Sequence, residues 1–182
     1  MSESQGPDRP NHRDEMAKRD ALVAKVKTKK TVEMTLTKDE HAGETVRIGA
    51  RPINRTTILY FGTAGSMRIA EMEMRLPIGG LAQVTRARVA RDYWRNGIAK
   101  RIYQEINADL DQIGAKLEPH WGAMTPDSLN FWIDFGGDDP ELVKKLEADR
   151  TEWEESGKLE EYDAMGKEMH WNGDPAKPED LV

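Results

Sequence analysis

The sequence contains no cysteine, which excludes disulfides, thiolate metal centres and a cysteine nucleophile while leaving the compartment open. It has no run of about 18 apolar residues, the length a membrane-spanning helix requires. Its start, Ser-Glu-Ser-Gln-Gly-Pro-Asp-Arg-Pro, lacks the apolar stretch of a signal peptide. A soluble, unexported, cytoplasmic protein is therefore expected. Histidine is scarce, and His12, His41, His120 and His170 show no metal-ligand spacing such as His-Glu-x-x-His. No metal is expected. No internal repeat is visible.

What is present is a chain of 182 residues, 37% hydrophobic and 33% charged. That is enough for one core of ordinary domain size and too little for two. The net charge of −6 is unevenly spread: positions 138–182 carry 15 acidic and 6 basic residues, and positions 1–137 carry 18 and 21. Within Val84–Gln104 the charges are Arg86, Arg88, Arg91, Arg95, Lys100 and Arg101 against Asp92 alone. A local positive patch on an acidic protein suits a small polyanionic ligand better than a long nucleic acid.

Along the chain, residues 1–14 are polar and proline-containing, without periodicity, and are expected to be disordered. Asp14 to Lys30 reads as a short basic helix or a solvated lead-in. Thr31–Thr37 alternates Val32, Met34 and Leu36 with polar residues, and Glu44–Ala50 and Thr56–Phe61 are further strand candidates. The intervening His-Ala-Gly and Ala50-Arg-Pro-Ile-Asn54 supply turns. Arg68–Leu76 sets Met72, Met74 and Leu76 opposite Glu71, Glu73 and Arg75, as in a half-buried antiparallel strand. Pro77-Ile-Gly-Gly80 turns the chain into a strand over Leu81–Val89, so the first half reads as an antiparallel meander.

Ala90 to Asn96 is then a turn, and a helix begins at Gly97 with apolar positions Ile98, Ile102, Ile106, Leu110 and Ile113. Gly114 is its stop. The first N–H groups of such a helix have no intrahelical partner, so its start attracts anions. Lys116–Trp121 is a short strand whose Pro119 implies an edge or a bulge. Thr125 caps a second helix with Pro126 at its first position, ending at Phe135-Gly136-Gly137. Asp139-Pro-Glu starts an acidic helix with a break at Ser156-Gly157, and Asn172 to Val182 is expected to be loose.

The segment from Leu81 to Gly137, with Ala90-Arg-Asp-Tyr-Trp-Arg-Asn-Gly-Ile-Ala-Lys-Arg-Ile-Tyr103 and Ser128-Leu-Asn-Phe-Trp-Ile-Asp-Phe-Gly136, resembles the core of the GNAT superfamily, the Gcn5-related N-acetyltransferases. The resemblance covers about a third of the chain. It implies an α+β fold with a central, mostly antiparallel twisted sheet flanked by helices. The acyl-CoA-binding domain spans 31–137, the disordered or basic helical lead-in 1–30, and an acidic helical extension 138–182. It further implies that acetyl-CoA, as co-substrate, lays its pyrophosphate on the turn of Arg95, Asn96, Gly97, Ile98, Ala99 and Lys100, with Asn130 on the later helix also contributing. The strand end at Arg88, Val89 and Ala90 splays from its neighbour and pairs with the pantetheine arm.

Two positions depart from the family pattern. Trp94 stands where Gln or Arg is usual. Trp132 stands where many members carry a Tyr that protonates the leaving thiolate, and an indole N–H has no useful acidity. The implied reaction is direct attack of a primary amine on the thioester, the acceptor being a small molecule or a peptide, with a base taking the proton. Glu71 and Glu73 are the first candidates for that base, and His120 is a candidate for substrate binding or proton transfer. Asp92, Asp127, Tyr93 and Tyr103 are weaker ones. An alternating Glu-x-Glu is otherwise the wet face of a strand, and Trp121, Phe131, Trp132 and Phe135 are core rather than a base-stacking platform. Two other readings stand beside this one: a GNAT-like fold without turnover that binds or builds, and an acyltransferase acting on a nucleic-acid base through the basic segment Lys18–Lys30.

Overall fold

The structure is a computed structural model that describes residues 11–136, 139–161 and 171–181. Helix α1 (His12–Thr28) precedes strands β1 (Val32–Thr35), β2 (Thr45–Asn54), β3 (Thr57–Ala64), β4 (Met67–Ile78) and β5 (Leu81–Val89). Helix α2 (Ile98–Asp111) leads to β6 (Lys116–Glu118), α3 (Pro126–Phe135), α4 (Pro140–Glu155) and the two-residue β7 (Asp174–Pro175). The strands form one sheet in the spatial order β1-β2-β3-β4-β5-β6, with β7 on β4. Neighbours are antiparallel except β5 and β6, which run parallel. Parallel neighbours need a crossover, and α2 supplies it. The mixed α+β architecture with a mostly antiparallel sheet is as expected.

The sheet has two dissimilar faces because side chains alternate along each strand. On one, Val46, Ile48, Ile58, Tyr60, Ala70, Met72, Met74, Leu76, Ala82 and Val84 are buried beneath α1 and α2. Helix α2 brings Ile98, Ile102, Ile106 and Leu110 to this face, each no more than 1% exposed. Removing those four side chains from water contributes roughly 6–12 kcal/mol, an upper estimate given a partly compact unfolded chain. Gly114, in the left-handed region at φ 69°, ends the helical run as anticipated.

The basic lead-in belongs to this core rather than to solvent. Leu22 and Val26 of α1 are 0% and 1% exposed, and the basic end of the helix is tied to α2. Asp109, 2% exposed, accepts from Lys29 Nζ at 2.8 Å and from the Tyr60 hydroxyl at 2.8 Å, and pairs with Lys25 Nζ at 3.1 Å. Lys29 also meets Glu105 at 3.0 Å. A carboxylate buried this deeply is tolerable only with its lone pairs filled. Burial and the neighbouring Asp109 charge raise the Tyr60 phenol far above its ordinary value.

Other expectations are corrected. Ala50–Asn54 is not a turn; β2 continues through it and the turn falls at residues 55–56. Pro52 is tolerated there because pairing with β1 has already stopped at Ile48, so no ladder bond needs its missing N–H. Nor is the segment after Asn172 loose. Residues 171–181 lie along the second face of the sheet as a strap, with β7 pairing Met67 and Arg68 where β5 has ended. Of residues 1–14, expected to be disordered, 1–10 lie outside the described residues, as does His170, while Asn11 caps α1 and His12–Asp14 begin that helix, which corrects the expectation there.

Candidate functional site

Strand β5 pairs with β6 over three residues, Leu81–Gln83 against Lys116–Glu118. Beyond Gln83, among the described residues, the β6 side of β5 carries no strand. The ladder between β4 and β5 also changes register there, since Met74 pairs with Val84 but Glu73 pairs with Arg86, leaving Thr85 as the extra residue of a bulge. A bulge bends its strand and reverses the facing of the residues beyond it. Ala87 and Val89 accordingly take over the core face, and Arg86 and Arg88 the other, opposite Glu73 and Glu71.

The chain then turns. Ala90 N–H donates to Ile69 O at 2.7 Å and Arg91 N–H to Trp171 O at 3.0 Å. A single 3-10 turn, Arg91–Tyr93, precedes two left-handed residues, Arg95 at φ 63° and Gly97 at φ 77°. Glycine adopts this region freely, whereas arginine is strained in it. The N–H groups of Ile98, Ala99 and Lys100 open α2, whose first turn has no acidic residue. Gly97 caps the helix without a side chain, and Asn96 bonds backward through Nδ2 to Tyr93 O and Trp94 O at 3.4 and 3.3 Å. Asn96 Oδ1 is buried with no hydrogen-bond partner among the described residues. The structure thus brings Arg88 through Lys100 together at the unpaired end of β5.

Trp94 is engaged in this site. Its indole Nε1–H donates to Val89 O at 2.7 Å. Because Ala90 bonds to β4, the groups of Val89 face the other way, toward the open edge, so the indole holds one of the backbone acceptors that a strand-like ligand would use. The ring itself is 45% exposed.

Glu71 and Glu73 differ sharply. Glu71 is 3% exposed and receives Arg88 Nε at 2.6 Å, Arg68 Nε at 3.1 Å and Arg86 at 3.4 Å. Arg88 Nε donates the hydrogen bond, and Arg68 and Arg86 add ion pairs, so three guanidinium groups neutralise this carboxylate. Glu73 has one ion-pair partner among the described residues, Arg86 at 3.5 Å, and keeps 29% of its side chain exposed. It sits beside the bulge, where Thr85 Oγ1 donates to its backbone carbonyl at 3.3 Å. The arginines continue into the strap. Arg88 lies over the Trp171 ring at 4.1 Å and meets Asp174 at 3.3 Å. Asp180, with a side chain 0% exposed, accepts from Arg51 at 2.9 Å and Arg68 at 3.4 Å. No sequence pattern announced this network, because its members are up to 129 positions apart.

The remaining candidates are dispersed. His120 lies two residues past the end of β6, half-buried, with Nδ1 buried and unpartnered among the described residues. Among those residues no hydrogen bond joins it to Glu71 or Glu73. Asn130 and Asp127 are exposed on α3, and Asp92 is exposed in the 3-10 turn Arg91–Tyr93. Trp132 is 4% exposed within an aromatic cluster, its ring 5.6 Å from Tyr103, 6.0 Å from Phe131 and 5.5 Å from Phe135. Burial pushes the Tyr103 hydroxyl up to about 12, so it stays protonated near neutrality and is a weaker acid than an exposed phenol. The core reading of these aromatics is what the packing gives.

Sequence reasoning missed one constellation beside the turn. Tyr93 stacks on His41 with ring centroids 4.0 Å apart and planes 19° from parallel. Glu44 binds both, taking the Tyr93 hydroxyl at 3.0 Å and meeting His41 Nδ1 at 2.9 Å. The bond to Glu44 raises His41 above its ordinary value against the opposing effect of burial, and the bonds from His41 and then Tyr93 lower Glu44. Burial, helped by Glu44, pushes Tyr93 up to about 12. The short spacing of His41 and Glu44 was readable, but nothing marked Tyr93 as their partner.

Two shallow cavities of about 150 and 180 Å³ lie at the other end of β5, around Gly79–Gly80 and around Ile78 and Leu81. They are smaller than typical ligand pockets. No group of residues that could hold a metal ion is found among the described residues, and none of the described helices is long and apolar enough to cross a membrane. Comparison of the chain with protein-family models, curated proteins and solved structures finds no match.

Proposed function

We propose that this chain is a CoA-dependent N-acyltransferase of the GNAT type, passing an acyl group, acetyl in the first instance, from acyl-CoA to a primary amine. The observation that carries the reading is an open strand edge that runs into a helix start. The parallel partner β6 is paired with β5 over its whole length but ends at Glu118, opposite Gln83, so the rest of that edge of β5 carries no strand among the described residues, and β5 leads to a helix start with no acidic residue in its first turn. An open strand edge offers a pantetheine arm backbone amide partners, and a helix start offers phosphate oxygens orphan N–H donors and a favourable dipole. In this reading Ile98, Ala99 and Lys100 hold the pyrophosphate through backbone groups, with Lys100 and Arg95 adding charge, and the edge around Val89 pairs with pantetheine.

The chemistry is a direct displacement. The deprotonated amine nitrogen forms a bond to the thioester carbon, the C–S bond breaks, and the thiolate leaves. The amine's proton goes to a base. Glu73 is assigned that role ahead of Glu71, because its carboxylate is half-open beside the bulge while Glu71 is enclosed by three guanidinium groups. His120 remains the second candidate. No acid is assigned to the thiolate, since Trp132 and Tyr103 are both enclosed in the aromatic cluster. Water reaching the open edge would protonate it.

A second reading, a GNAT-like binding protein without turnover, is favoured by one observation: the Trp94 indole already occupies the Val89 carbonyl. Thiol release from acetyl-CoA, measured over polyamines, peptides and aminated nucleosides, separates the two. Acceptor-dependent release supports the enzyme, and release no faster than hydrolysis with every amine supports the binding protein. Of the basic segment that the nucleic-acid reading invokes, Lys25 and Lys29 are engaged by Asp109 and Glu105, while Lys18, Lys27 and Lys30 are exposed.

A further inference from the structure

We infer that His41, Glu44 and Tyr93 are positioning residues, a clasp that holds the β5–α2 turn in its strained form and so sets the affinity of the helix start for acyl-CoA phosphates. The inference rests on the acyltransferase reading for its ligand and on geometry for the clasp itself. The turn contains Arg95 in the left-handed region, a conformation that persists only where its surroundings over-determine it. Its first end is bonded to β4 and to the strap through Ala90 and Arg91, and its far end is anchored by Ile98, 1% exposed in the core. Between those points Trp94 donates to Val89 O and Asn96 to Tyr93 O and Trp94 O. Tyr93 reaches another element, the connection between β1 and β2.

That connection is itself shaped to receive it. Asp39 is left-handed at φ 57°, a 3-10 turn runs Asp39–His41, and Glu44 N–H donates to His41 O at 3.0 Å. The turn presents the imidazole face flat against the Tyr93 ring, and one carboxylate, Glu44, binds both partners. The groups around His41 are Glu44, Glu40 with a carboxylate oxygen 3.8 Å from Nε2, Asp92 and Tyr93. Glu44 at Nδ1 and Glu40 near Nε2, with the Asp92 charge added, favour the protonated imidazole, although Nε2 itself makes no hydrogen bond among the described residues.

The clasp is therefore pH-dependent, with a determined sign. His41 titrates above its ordinary 6.5 in the folded chain, so its contribution is complete below that pH and fades as pH rises through the raised value. Glu44 titrates below its ordinary 4.5, so its contribution is complete above that pH and fades on acidification. The clasp is strongest between those limits. The Tyr93–Glu44 bond persists at higher pH, since Tyr93 stays protonated up to about 12.

Hydrogen exchange of the full-length chain at pH 6, followed over the amides of residues 91–100, tests this. Tyr93→Leu, which removes both stack and hydroxyl, is expected to speed exchange there about tenfold, with Tyr93→Phe intermediate and the amides of β3 and β4 unchanged. A parallel titration with acetyl-CoA is expected to show affinity reduced about tenfold in Tyr93→Leu, and an enzyme assay to show KM raised with kcat unchanged. Wild-type exchange corrected for intrinsic rate is expected to rise between pH 6 and pH 9. Unchanged protection of residues 91–100 in Tyr93→Leu overturns the clasp, whatever the ligand does. Lost protection in a chain whose wild type ignores acetyl-CoA upholds the clasp and removes the acyltransferase reading instead.

Discussion

Replacing Asp109 with alanine tests how α1 is fastened to the sheet. The carboxylate, 2% exposed, receives Lys29 at 2.8 Å, the Tyr60 hydroxyl at 2.8 Å and Lys25 at 3.1 Å. Without it the Tyr60 hydroxyl is left in the core lacking that acceptor, a loss of about 1–3 kcal/mol. Breaking a buried pair usually costs about 3–5 kcal/mol, because a charge is stranded. Here Lys29 retains Glu105 at 3.0 Å and the Lys25 side chain is 30% exposed, so neither ammonium is stranded and the expected cost is about 3 kcal/mol, at the low end of that range. For a chain of this size that corresponds to roughly 6–12 °C in Tm. Tyr60→Phe, which leaves Asp109 with both lysines, is expected to cost about 1.5–2 kcal/mol. In the Tyr60→Phe background Asp109→Ala should cost about 1 kcal/mol less than in wild type, since the stranded hydroxyl is gone. Urea unfolding followed by tryptophan fluorescence measures all three variants. A loss below about 1 kcal/mol for Asp109→Ala, or full additivity in the double variant, would show that this carboxylate does not fasten the helix.

Other outcomes are expected at the site. Trp94→Phe removes the indole donor from Val89 O and is expected to tighten acetyl-CoA binding roughly two- to tenfold, the equivalent of one hydrogen bond that no longer has to be displaced; titration calorimetry reads it, and weaker binding would show that the indole supports the site. Glu73→Gln should lower kcat about 100-fold with KM for acetyl-CoA unchanged, while an equal fall from Glu71→Gln alone would move the base to Glu71. Asp180→Ala removes the buried acceptor shared by Arg51 and Arg68, but Arg68 keeps Glu71 at 3.1 Å and Arg51 keeps Glu179 at 4.0 Å, so the expected loss is about 1–3 kcal/mol, with hydrogen-exchange protection lost first over residues 171–181.

Periodicity made most of the fold legible. Alternation in Arg68–Leu76 marked the inner face of β4, the four-residue spacing of Ile98, Ile102 and Ile106 marked α2, and Thr125-Pro126 marked the start of α3, where Thr125 does accept from Ser128 N–H. The turn at Ala90–Gly97 was legible because glycine and the following amphipathic helix are local signals. What stayed hidden was what depends on distant partners. Leu22 and Val26 look like isolated apolar residues in a basic segment until Asp109 and Glu105 neutralise their lysines. The prolines after Asn172 suggest a loose end, and only Arg51 and Arg68 explain why Asp180 is buried there. Glu71 and Glu73 looked equivalent from their shared face; the reach of Arg68 and Arg88 distinguishes them.

The measurement that bears most directly on the function is a calorimetric titration of the full-length chain with acetyl-CoA, repeated with CoA and with inorganic pyrophosphate. An acyl-CoA site at the end of β5 predicts saturable one-to-one binding of acetyl-CoA and CoA, weaker binding of pyrophosphate, and affinity that falls with added salt, since phosphate at the start of α2 supplies part of it. No heat with acetyl-CoA at millimolar concentration would contradict it, and the open edge of β5 would then require a different ligand.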